Sequence, residues 1–333
     1  VFGSFYWKII LSFLAFFLLT VILSGGIKGY FKSLLVAIKR LLTTREYFFY
    51  FLGILILLFF DILELKGESS FPSSYLYSYF IAKIEAPFIM KLQSFHPAWL
   101  VFLFSYVYVF LFPVLFVAVL YYGLIYDKKN LIAGLFYIYL INYLVAMPFY
   151  VNLPVYESWS VYPGIKLLLE KYYPQFNAQY RVFSGINNNF PSLHTALSVS
   201  FFYLAYKLQE KRLMGVLGIS SVLIIISTVY LGIHWIIDII AGIFLGIGVV
   251  YFYTYQLEER KVLYNFYKKL AFGFLAVVFF LGGLVNGGAH AEKYYAYLKR
   301  QVSYYEFHEK ATNKLKNLYK FFKTELEEFS GKF

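Results

Sequence analysis

The chain contains no cysteine, which excludes disulfides and thiolate metal sites and leaves its redox compartment unread. Charge is scarce as well. Asp, Glu, Lys and Arg make up 14% of the 333 residues against 61% hydrophobic ones, a balance outside that of ordinary soluble domains. Acidic residues are the scarcer sign, 18 against 30 basic, for a net charge of +12. No basic groove or globular recognition module accompanies that excess, so nucleic acid is not an expected partner; short loops facing anionic lipid account for much of it. A Walker-type phosphate loop and a dinucleotide fingerprint are also missing, which argues against ATP or NAD as a cofactor. Histidine is rare, with five in the chain, so any pattern among them carries information.

What the chain has is apolar sequence in long runs, at 7–23, 48–63, 100–122, 131–148, 194–208, 213–231, 235–255 and 270–284. Several approach the ~20 residues that cross a bilayer as a helix. The expected fold class is therefore all-α, a polytopic membrane helical bundle with about eight transmembrane helices. The first run lacks a small-residue cleavage site before the polar stretch 25–45, which reads as a retained span followed by a cytoplasmic connection over 1–46. A membrane core follows at 47–256, then a further span within 257–288. The tail 289–333 alternates Lys and Glu with aromatics and reads as an amphipathic or solvated helix on the membrane surface or on a neighbouring subunit, an arrangement that permits a homodimer.

Basic residues in the short connections at 28–45, 128–129, 207–212 and 260–269 fall on one face of this topology. The positive-inside rule makes that face cytoplasmic and the opposite one extracytoplasmic. Two segments lie on the extracytoplasmic face. In 67–97, the stretch 77–92 reads as an amphipathic helix in the interface. The connection 149–191 is too long for a simple link and suits a lid or binding loop.

The chemistry concentrates at 190–198, FPSLHTALS, and 227–242, STVYLGIHWIIDIIAG. His234 and Asp238 are four residues apart and share a helix face. An ionised Asp238 holds one imidazole nitrogen and presents the other, which makes His234 a candidate nucleophile. His194 begins its own run behind Pro191 and Ser192, where Ser192 suits an N-cap and the free amides around Leu193 suit an anion. Polar groups at the ends of membrane helices are costly without a task. Packing or helix-end hydrogen bonding is the competing reading. His96, His290 and His308 read as structural or surface residues.

These segments resemble the second and third signatures of the type 2 phosphatidic acid phosphatase (PAP2) superfamily, through Pro191, Ser192 and His194, then Ser227, His234 and Asp238. They are more similar still to its branch of inositol phosphorylceramide synthases and related phospholipid head-group transferases, which Pro154, Val155, Tyr156 and Glu157 also resemble. The resemblance covers roughly 131–255 and implies a six-helix catalytic core. It implies that His234 attacks phosphorus and becomes a phosphohistidine, that His194 acts as acid and then base, and that Asp238 orients His234. This chain departs from the superfamily at Leu193, where a glycine is usual, and at Thr228, where an arginine is usual. It also has no clear counterpart of the first, lysine- and arginine-bearing signature.

The missing phosphate contacts point to Arg181 as a clamp, because its fork fits two phosphoryl oxygens. Lys166 and Lys171 are second choices, and Ser192 with the amides at Leu193 could hold the developing oxyanion. Asn187, Asn188 and Asn189, with Tyr156 and Glu157, are candidate head-group contacts. No metal and no cofactor are called for, since two histidines and an aspartate make a metal-free set. The expected function is a metal-independent head-group transferase, passing inositol phosphate from a phosphoinositide-like membrane phospholipid donor to an alcohol, polyol or lipid acceptor. A lipid phosphate or polyprenyl diphosphate phosphatase, with water as acceptor, stands as one alternative. A non-enzymatic transporter or scaffold is the other.

Overall fold

A computed structural model describes residues 13–14, 16–68, 76–173 and 184–258. These residues form helices and turns, plus one isolated parallel bridge between Val155 and Asn188. A short helix Phe16–Leu23 (α1) meets Ile27–Thr43 (α2) at 96°. Then come Arg45–Glu68 (α3), Leu76–Ser94 (α4), and Ala98–Tyr106 (α5), which runs through a π-helical turn Val107–Leu111 into Phe112–Tyr126 (α6). Lys129–Asn152 (α7) and a short turn of helix Ser158–Val161 (α8) precede Leu193–Lys207 (α9), Lys211–Tyr230 (α10) and Ile236–Glu258 (α11).

Among the described residues, four helices are long and apolar enough to cross a membrane: Ala98–Tyr126, Lys129–Asn152, Lys211–Tyr230 and Ile236–Tyr255; the bent pair α1–α2 would make five. They match the runs expected at 100–122, 131–148, 213–231 and 235–255. The run 48–63 falls within α3, and 194–208 forms α9, whose 15 residues are short for a span. The run 270–284, the tail 289–333, His290, His308 and Arg181 lie outside the described residues. Outward faces carry large apolar side chains, among them Ile219, Phe244 and Ile84, at 69%, 72% and 81% exposure. Water does not tolerate so extensive an apolar surface, and the protein is membrane-embedded.

Two elements differ from expectation. The stretch 25–45, read as a polar connection, is mostly helix. Leu34, Ala37 and Leu41 recur at helical spacing and pack with Tyr121, Leu124 and Ile132, and Tyr30 on the same stripe is buried, while Lys28, Lys32 and Lys39 lie off that stripe. α4, expected as an amphipathic helix in the interface, turns polar side chains into the protein. Phe80, Ile84 and Phe88 are exposed, whereas Ser78, Glu85 and Gln93 make hydrogen bonds inside the protein.

In lipid the apolar effect does not drive helices together, so close packing of small residues must. Gly242 and Gly246 supply it between α11 and α9. A Cβ on Gly246 would lie 2.5 Å from the Ala196 carbonyl oxygen, and one on Gly242 would lie 2.7 Å from that of Ser192. Around this contact Leu197, Phe201, Leu204, Leu135, Ile138, Leu217 and Val250 form the main core. At the far end, Lys128 pairs with Glu210 at 2.8 Å and Arg40 donates to the carbonyls of Leu124 and Ile125. The chain direction puts the starts of α9 and α11 and the end of α10 together at the opposite end.

Candidate active site

The α10–α11 corner sets the first histidine. The helix ends in a Schellman motif: Gly232 takes φ +81°, its N–H bonds Val229 O at 3.0 Å, and the Ile233 N–H bonds Thr228 O at 3.1 Å. The His234 N–H bonds the same Thr228 oxygen at 3.1 Å. Only a residue tolerant of φ > 0 serves at Gly232, and a Cβ there would also meet the Lys166 carbonyl oxygen at 2.5 Å. Thr228, where the superfamily arginine would stand, is buried, and its hydroxyl turns back to Ile225 O at 2.8 Å. It therefore cannot replace that side chain as a cation.

His234 is 4% exposed and sits between two partners. Its Nδ1 faces Asp238 Oδ2 at 3.3 Å and its Nε2 faces Ser192 Oγ at 3.3 Å. The carboxylate can only accept, so Nδ1 carries the proton and Nε2 keeps its lone pair. Ser192 completes the pattern as N-cap of α9: its Oγ accepts the Thr195 N–H at 3.3 Å, leaving its own proton for Nε2. The Ser192 N–H in turn donates to Asp238 O at 3.1 Å, tying the start of α9 to the start of α11. His194, one step into α9, lies with its ring centroid 6.0 Å from that of His234. Its ring stacks on Tyr108 at 4.8 Å and packs against Phe112 at 4.4 Å. Both aromatics come from the π-turn region of the α5–α6 span, a feature frequent at functional sites.

Trp235 is the N-cap residue of α11, and its indole cannot accept from the amides that follow. Asp238 takes the Trp235 N–H at 2.9 Å in the manner of a capping box. The Ile236 and Ile237 N–H groups go to Glu85 of α4, at 2.5 and 3.1 Å. Gln93, two turns further along α4, donates to Lys166 O and Tyr230 O and accepts the Lys166 N–H. Ser78 accepts the Tyr156 N–H at 2.8 Å. Sequence reasoning missed all three side chains and Tyr108; the available signal was a polar stripe along an otherwise apolar helix.

The other candidates fall around this centre. Leu193 opens α9 and packs on the main core. Asn189 is buried, with its carboxamide nitrogen on Ile233 O at 2.9 Å and its N–H on Val155 O at 3.1 Å. Asn188 bridges to Val155 and turns its carboxamide to Gly185, while Asn187 is half-buried. Tyr156 and Glu157 are buried; Tyr156 O accepts the Trp235 indole N–H at 2.9 Å and the Glu157 carboxylate accepts that of Trp159. Lys166 and Lys171 are exposed, and the Lys171 ammonium lies 5.9 Å from the centroid of the Tyr172 ring. The long connection thus docks on the α10–α11 corner through its backbone.

Three comparisons bear on this centre. A 65-residue stretch is 38% identical to an uncharacterized protein of Methanocaldococcus jannaschii, covering 20% of this chain and 26% of that one, so the match spans about a quarter of that relative. No solved structure matches the chain. The family model described as PAP2 superfamily matches residues 157–261, a segment that contains Ser192, His194, His234 and Asp238. Members of that superfamily are phosphatases or phosphotransferases, and residues 157–261 of this membrane protein are a PAP2 superfamily domain.

Proposed function

We propose that this chain is a metal-independent phospholipid head-group transferase that works through a phosphohistidine on His234. The observation that carries the reading is the chain of contacts from Asp238 Oδ2 to His234 Nδ1 and from His234 Nε2 to Ser192 Oγ, with His194 6.0 Å away. Nε2 attacks the phosphorus of a lipid phosphodiester, and the bond to the leaving alkoxide breaks. His194, protonated when substrate is bound, gives its proton to that oxygen. The neutral His194 then takes the proton of an acceptor hydroxyl, which attacks the phosphohistidine and restores His234. Asp238 holds the ring and stabilises the positive charge that develops on it. Ser192 Oγ and the amides at the start of α9 are suited to the phosphoryl oxygens.

The cationic partner in this scheme is Arg181, with Lys166 and Lys171 as further positive charges near the same connection. Burial of His234 and Asp238 favours exclusion of water in the second step, which supports an alcohol acceptor. Water as acceptor would make the same centre a lipid phosphatase. The site is assigned to the extracytoplasmic side, because Lys128, Lys129, Lys211 and Arg212 flank the turns at the other end of the bundle.

The test is to incubate purified protein with radiolabelled phosphatidylinositol and mixed lipid or polyol acceptors, and to trap the labelled enzyme in alkali, where phosphohistidine survives. A labelled phosphodiester that forms only with acceptor supports head-group transfer. Inorganic phosphate released from phosphatidic acid, with no transfer product, gives the phosphatase. Full turnover in both His234→Ala and His194→Ala would overturn the mechanism.

A further inference from the structure

We propose that Glu85 of α4 is a positioning residue for this centre: by holding the Ile236 and Ile237 amides, it keeps the Asp238 carboxylate on His234. The proposal rests on the reading of His234 as nucleophile, but its structural half can be tested without substrate.

An α-helix leaves its first amides without intrahelical acceptors, and a cap residue with a short polar side chain ordinarily supplies one. Here the cap is Trp235, whose indole nitrogen is a donor only and is engaged by Tyr156 O at 2.9 Å. Two carboxylates share the work instead. Asp238 Oδ2 accepts from the Trp235 N–H at 2.9 Å and from His234 Nδ1 at 3.3 Å, while the two oxygens of Glu85 accept from Ile236 and Ile237. Negative charge is favoured at this end of a helix, so both acids benefit from the same dipole.

That division determines where Asp238 points. Without Glu85, the amides of half-buried Ile236 and exposed Ile237 lose the acceptor they have among the described residues, and the carboxylate in the same first turn is that of Asp238. Each contact Asp238 made to those amides would draw Oδ2 from the imidazole. His234 would then lose the partner that keeps its proton on Nδ1 and its lone pair on Nε2. Gln93 and Ser78 hold α4 against the same corner from either side of Glu85, so the acid is carried by an anchored helix. Residue 85 also precedes the 157–261 domain, so the cap reaches the centre from outside it.

The first experiment is 15N NMR of histidine-labelled full-length protein in detergent micelles, with the His234 resonances assigned through His234→Gln. In the wild type, His234 is expected as the Nδ1–H tautomer. Glu85→Gln, which keeps the size and one acceptor oxygen, is expected to give a tautomer mixture, and Glu85→Asp to recover part of the wild-type signal. Unchanged His234 resonances in Glu85→Gln overturn the proposal. The second experiment is a kinetic cycle with phosphatidic acid micelles and phosphatidylinositol as probes. Glu85→Gln is expected to lower kcat about tenfold with KM within about twofold, but to cost less than about twofold in an Asp238→Asn background. Equal losses in both backgrounds would mean that Glu85 merely supports the fold. Because the NMR readout needs no turnover, it decides the Glu85–Asp238 link even if activity in His234→Ala were to sink the phosphohistidine reading.

Discussion

Replacing Gly242 with alanine adds a single methyl group to the seam between α11 and α9, 2.7 Å from the Ser192 carbonyl oxygen and 2.9 Å from Thr195 Cβ. Ordinary carbon–oxygen contacts lie near 3.3–3.6 Å, so the helices must part by roughly 0.6 Å or more. The Ser192 oxygen belongs to the backbone and cannot rotate away. Overpacking of this kind costs about 1–3 kcal/mol, offset by about 0.5–1 kcal/mol from the better helix propensity of alanine. Gly248 on the same helix provides the control, since a Cβ there meets nothing within 4 Å. Gly248→Ala keeps the propensity gain without the clash, so the two variants should differ by the clash term alone, about 1–3 kcal/mol. The same displacement opens the 3.3 Å contact between Ser192 Oγ and His234 Nε2. A misplacement approaching 1 Å at a reacting group costs on the order of 100-fold in rate. Thermal unfolding in one detergent, with turnover measured below both transitions, reads both quantities. A Gly242→Ala variant that unfolds with or above Gly248→Ala would refute the packing argument. One that is destabilised but fully active would refute the link from the seam to the site.

Asp238→Asn should preserve the fold better than Asp238→Ala and lower kcat by roughly 10³–10⁴, because the ring loses its orienting charge; single-turnover phosphoenzyme formation measures it. Gly232→Ala strains a backbone at φ +81° and presses on the Lys166 carbonyl oxygen, so a loss of more than about 1 kcal/mol is expected in thermal unfolding. Gln93→Ala leaves two carbonyls and the Lys166 N–H without their partner, at about 1–3 kcal/mol, and increased proteolysis in the 153–173 connection would report it. Turnover should survive EDTA unchanged, whereas loss on chelation with rescue by a divalent ion would contradict the metal-free mechanism.

The parts of this site that were legible in the sequence are those set by short-range geometry. His234 and Asp238 meet because four residues make about one turn, and Ser192 caps α9 because it directly precedes the helix. The four long apolar runs were legible for a similar reason, since length and hydropathy decide them. What could not be read depends on distant chain segments. Glu85 reaches amides some 150 positions along the chain, and nothing in its neighbourhood says that Trp235 will leave a cap unfilled. For the same reason the stretch 77–92 read as an amphipathic helix in the interface without showing where its polar side chains bond: Ile84 is exposed, while Glu85 accepts from the Ile236 N–H. Asn189, whose carboxamide nitrogen donates to Ile233 O, and Tyr156, whose backbone oxygen accepts the Trp235 indole N–H, also tie the loop to the α10–α11 corner, contacts that no local pattern shows.

The core also allows two kinds of interhelical adhesion to be weighed against each other. Asn142 of α7 is fully buried; its Nδ2 donates to Ile138 O at 2.8 Å and to Ser200 Oγ at 3.2 Å, and Ser200 donates to Gly246 O at 3.2 Å. This polar chain links α7, α9 and α11, but the Asn142 Oδ1 accepts no hydrogen bond among the described residues. Interhelical hydrogen bonds in membrane proteins average about 0.6 kcal/mol, and a buried acceptor without a partner offsets gains of that size. Asn142→Leu, close in volume, removes the donor bonds and the unsatisfied oxygen together, so a stability change below about 1 kcal/mol is expected. Gly246→Ala, by contrast, drives a carbon to 2.5 Å from Ala196 O and should cost about 1–3 kcal/mol. Unfolding of both variants in the same micelles ranks the terms. If Asn142→Leu proved the more damaging by more than about 1 kcal/mol, polar bonding would be the principal tie between these helices. The expected order makes glycine packing the principal tie, the same contact that sets Ser192 against His234.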